Sequence, residues 1–226
     1  MRYSLSLVLL LGLLASCAAS TGIIRPGFQP RTMQPMPYAS PVAQVAVIER
    51  GNQPSLSAEA SNESVRLMRK LLTSHRTELR LQDELVIPAS VQQQAEQEIY
   101  RAVEGIEKRQ RLDTGAHFPV LDELLAGQSQ RYLLVTATQG FTRAEFNYSG
   151  QLAKSIGVGL LTMGMLMPTS IPSKAQSVIC LFIYDSQQKQ IVYYNHTPPN
   201  AEREPLDEAR LEYQLRTMLK KDFPLR

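Results

Sequence analysis

The sequence predicts an α/β fold: one domain in which helices pack on a mixed sheet. Two observations carry that prediction. Between residues 42 and 222, short β-rich runs alternate with segments whose apolar residues recur at helical spacing, and such alternation belongs to layered folds with helices on a sheet. The residues before 42 show neither period. An apolar leader and then a proline-rich stretch set them apart.

PVAQVAVIE, from about Val42, reads as a strand with Val45 and Val47 on one face, followed by a polar loop to about Asn62. From Ser64 to Ser74 the apolar residues Val65, Met68, Leu71 and Leu72 fall at helical spacing, with Arg66, Arg69 and Lys70 on the other face. TELRLQDELVIP alternates as a strand and ends at Pro88. Ser90 and Gln93 then form a capping-box pair. Behind them Val91, Ala95, Ile99, Ala102, Val103 and Ile106 make one helical stripe to about Gln110. A short helix from Pro119 to Leu125 stops at Gly127, and RYLLVTATQG is a strand closed by Gly140. SVICLFIYD and KQIVYYNH read as a hairpin joined by SQQ. A last helix starts at about Pro205, with Asp207 and Glu208 in its first turn and Leu211, Leu215, Met218 and Leu219 on its buried face.

In element order, residues 42–222 resemble the α/β domains of the TolB amino terminus and of the curli-secretion lipoprotein. That resemblance implies a fold and transfers no function.

The chain opens like a secretory signal. Met1 and Arg2 give a positive end, Leu5 to Leu14 an apolar core, and small residues Ala15 and Ser16 precede Cys17. The apolar run is well short of the ~20 residues that a spanning helix needs. The quartet Leu14-Ala15-Ser16-Cys17 resembles the lipobox of bacterial lipoproteins at all four positions. The resemblance implies a thioether-linked diacylglycerol on Cys17, cleavage after Ser16 and acylation, commonly with palmitate, of the freed amine. Residues 1–16 are then a signal peptide, and Cys17 anchors the protein to a membrane. Ala18 follows the cysteine where an Asp would retain it. By the rule known for enteric lipoproteins, this implies the outer membrane, facing the periplasm.

Residues 17–41 read as a lipidated cysteine followed by a disordered tether, with Pro26, Pro30, Pro35, Pro37 and Pro41 and no acidic residue from 18 onward. At ~3.1 Å per residue such a tether could hold the domain up to ~70 Å from the membrane. Arg25 and Arg31 would keep it solvated or meet anionic lipid or cell wall.

Residues 42–226 form the domain, with an apolar insert at about 151–172. From Ile156 to Met167 the insert has no charge and is apolar all round. It is either buried core, a contact surface for self-association or an envelope partner, or a surface for lipid or the lining of an apolar-ligand pocket. Leu160, Leu161, Met163, Met165 and Met167 are the candidate contact residues.

Loss of residues 1–16 removes one arginine and no acid from 24 basic and 21 acidic residues, leaving +2. So near a balance argues against nucleic acid as a partner. With Cys17 lipidated, Cys180 has no disulfide partner and reads as a buried small hydrophobe. No catalytic or phosphate-binding motif occurs, and His75, His117 and His196 stand apart, so neither catalytic residue, metal nor cofactor is expected. The expectation is a non-enzymatic envelope lipoprotein acting through protein contacts. A periplasmic carrier or sensor of an apolar ligand is the alternative, and an unrecognised hydrolase the third.

Overall fold

The computed structural model describes residues 22–49, 53–113, 115, 117–128, 130–143, 175–199 and 203–225. They form one mixed sheet between two layers of helices, the α/β class that the sequence predicts. The strands are β1 (Ile23–Ile24), β2 (Met36–Ala39), β3 (Val42–Ile48), β4 (Pro54–Leu56), β5 (Leu81–Leu85), β6 (Tyr132–Arg143), β7 (Gln176–Asp185) and β8 (Gln190–His196). The helices are α1 (Ala58–Ser74), α2 (Gln92–Arg109), α3 (Pro119–Ala126) and α4 (Glu208–Leu219). No described helix is long and apolar enough to cross a membrane.

β6 is the axis. It runs antiparallel to β7 from Tyr132↔Asp185 to Phe141↔Gln176, and parallel to both β2 and β3 on its other side. The sheet order is β1-β8-β7-β6-β2-β5, with β4 outside β3. All ten residues of β7 are buried because it is covered on both faces. Val178, Cys180, Phe182 and Tyr184 join one core with α2 and α3. Ile179, Leu181 and Ile183 join the other, with α1 and α4.

The tether expected over 18–41 is corrected from residue 22 onward. Ile23 and Ile24 pair with Tyr194 and Tyr193 of β8, and every residue of β2 is buried between β5 and β6. The prolines fit because of phase. Met36 N–H donates to Arg80 O and Ser40 N–H to Leu85 O, so donors at even positions serve β5. Pro37 and Pro41 occupy odd positions, where that ladder asks for no N–H. Tyr38 pairs with Leu134 and Val42 with Ala137, so this strand holds one extra residue around Pro41, a bulge. Arg25 and Arg31 are likewise bonded to the fold, through Ile191 O and Lys221 O.

Three smaller corrections concern element starts. The polar loop before Asn62 contains β4 and the first turn of α1, which Ser57 caps by accepting from Ala60 N–H at 3.1 Å. The Ser90 capping box does not form. Val91 N–H turns back to Pro88 O, which makes Val91 the cap residue and leaves Ser90 outside the helix. Asp207 caps α4 by accepting from Arg210 N–H at 3.1 Å.

Candidate functional site

The residues singled out by sequence, Cys17 and Leu160, Leu161, Met163, Met165 and Met167, lie outside the described residues. The frame that holds their neighbours is described. Because the β6–β7 ladder closes at Phe141↔Gln176, segment 144–174 starts and finishes at one end of the sheet. Buried polar groups collect at that same end. Gln44 and Gln139 stand opposite one another across β3 and β6, and Gln176 is diagonal to Gln139 on β7. Among the described residues, Oε1 of Gln44, both amide atoms of Gln139 and Nε2 of Gln176 have no hydrogen-bond partner. A buried polar group left unpaired costs ~1–3 kcal/mol, and the described residues leave these amides without partners.

A second polar group links β8 to the end of α2. Glu107 Oε1 accepts from the Tyr194 hydroxyl at 2.6 Å and lies 2.9 Å from His196 Nδ1. Burial works to raise the Glu107 carboxyl, but the His196 and Tyr194 hydrogen bonds outweigh it and hold the group below the usual carboxylate range. Tyr194 also contacts Cys180, whose thiol burial pushes up to about 12. A thiol so placed is not a nucleophile at neutral pH, in keeping with the structural role read from the sequence.

Two more tyrosines repeat the pattern. Tyr184 donates to Asp122 Oδ1 on α3, and Tyr193 to Asp222 Oδ2 beyond α4, both at 2.8 Å. Each phenol pairs with a carboxylate from a covering element, so these groups fasten the helical layers to the sheet. Among the described residues no group of three or more His, Cys, Asp or Glu could hold a metal ion.

The basic residues of α1 and the turn after it are paired. Arg66 meets Glu63 at 2.6 Å, Arg69 meets Glu84 at 2.8 Å and Lys70 meets Glu208 at 2.7 Å. Arg76 reaches Asp83, and Arg80 donates to Met33 O. This is a solvated, charge-compensated face.

No family model matches the chain, and a search of curated proteins finds no match. Solved structures are similar only at a distance. A PelC dodecamer from Paraburkholderia phytofirmans aligns with a TM-score of 0.37 and 11% identity, covering 88% of this chain and 96% of that one. A second crystal form of that dodecamer gives 0.35 and 8%, over 88% and 94%. The LpoB C-terminal domain from Salmonella enterica gives 0.29 and 9%, over 76% and 84%. Similarity at this level bears on neither function nor assembly.

Proposed function

We propose that the chain is a non-enzymatic lipoprotein of the cell envelope, anchored through Cys17 and acting by protein contacts close to the membrane that holds it. One observation carries the last part. Ile23 is already in the sheet six residues after Cys17. At ~3.5 Å per residue the intervening chain spans about 20 Å at most, not the ~70 Å of a free tether. The domain therefore works beside its anchor. Ala18 after the cysteine favours the outer membrane, facing the periplasm.

Leu160, Leu161, Met163, Met165 and Met167 are the proposed contact surface. Their segment joins the adjacent ends of β6 and β7, and its uncharged, apolar run from Ile156 to Met167 is the composition that a protein contact surface uses. A Leu160→Asp, Leu161→Asp double variant tests this. The expected result is an unchanged melting temperature with loss of self-association by sedimentation, or of cross-links in the native envelope. A double variant that unfolds, or that keeps its associations, would contradict a contact surface.

A further inference from the structure

At the turn end of the β7–β8 hairpin, remote from the glutamine cluster, lies a hollow of about 290 Å³. Leu112, Phe118 and Ile191 give it an apolar floor, and Arg25, Asp113, His117 and Lys189 stand around it. Lys189 is spoken for, since its Nζ lies 2.6 Å from Asp122 Oδ2. Arg25 is held in place by its Nε donating to Ile191 O at 3.3 Å and its amide to Val192 O at 2.9 Å. No carboxylate among the described residues pairs with that guanidinium. Asp113, on the loop after α2, has no ion-pair partner there either. Gly115 shapes this loop: its φ of +61° is strained for other residues, and the space at its Cα is open.

Arg25 and Asp113 do not come within ion-pair distance. We propose that the hollow binds a small zwitterion, its oxyanion on the Arg25 guanidinium and its primary ammonium on the Asp113 carboxylate. A guanidinium fork suits a phosphate or carboxylate group, and the exposed Asp113 carboxylate is open to an ammonium. Phosphoethanolamine has this chemistry both as a free metabolite-sized molecule and as a phospholipid head group. The inference is independent of lipidation at Cys17.

The full chain in neutral-detergent micelles is titrated calorimetrically with O-phosphoethanolamine, inorganic phosphate and ethanolamine. Binding is expected for the zwitterion, with each half alone weaker by about tenfold or more. Arg25→Gln and Asp113→Asn should each weaken it by a similar factor and keep the melting temperature, as Arg66→Gln should keep both. Hydrogen exchange in nanodiscs separates the sources. Protection of 112–118 by phosphatidylethanolamine over phosphatidylglycerol identifies a lipid head group, and equal protection by the soluble zwitterion identifies a free ligand. Phosphate binding as tightly as phosphoethanolamine, an Asp113→Asn variant with unchanged affinity, or no heat at millimolar ligand would each overturn the proposal.

Discussion

Glu98 of α2 caps the first turn of α3. Val120 N–H donates to Glu98 Oε1 at 3.1 Å and Leu121 N–H to Oε2 at 3.5 Å. Phe118, the residue at the cap position of α3, has no side chain able to do this, and Pro119 opens the helix. A carboxylate facing a helix amino terminus also meets the positive end of its dipole. The short helix is thus held by its neighbour, not by its own sequence.

Removing that carboxylate should be costly. Glu98→Ala strands two buried N–H groups at ~1–3 kcal/mol each, a fall of several degrees or more in melting temperature by circular dichroism. Glu98→Gln should lose less, because its amide oxygen still accepts one bond and burial already pushes the Glu98 carboxyl above its ordinary value. Equal losses for the two variants would contradict a capping role.

Glu107 gives stability an acid limb. Its carboxyl is held below the ordinary glutamate value, so it binds fewer protons folded than unfolded as pH falls through the ordinary carboxylate range. The stabilisation is present above the unfolded value and is lost as pH falls through the folded one. Urea midpoints of Glu107→Gln should therefore fall less steeply than wild type between about pH 5 and pH 3. Parallel slopes would show that the Tyr194 and His196 contacts do not set the Glu107 carboxyl.

How much of this could be read from the chain depends on the range of the signal. β6, β7, β8, α2 and α4 are legible because each repeats its period over several residues. β1, β2 and β4 hold two to four residues each, and prolines in and around β2 hide it, since only its pairing with β5 shows that Pro37 falls out of phase with the donors. The Glu98 cap and the Tyr–carboxylate pairs join residues 22 to 87 positions apart, which local pattern cannot reach. The proposed lipidation at Cys17 is the opposite case, since it rests wholly on four adjacent residues.

The packing of residues 22–41 makes a test of its own. Met36 is 1% exposed in the core shared with α1 and α4, so Met36→Ala should cost about 2–5 kcal/mol. Pro26, exposed in the turn after β1, should tolerate Ala with little change. A Met36→Ala protein that melts with the wild type would return this segment to a loose tether.

Mass spectrometry of the mature amino-terminal peptide, isolated from native envelopes, tests the central claim most directly. The account predicts a peptide that begins at Cys17 and carries a diacylglyceryl thioether, with Cys17→Ser leaving an unlipidated precursor. A mature chain with a free Cys17 thiol, or one cut at another residue, would contradict it.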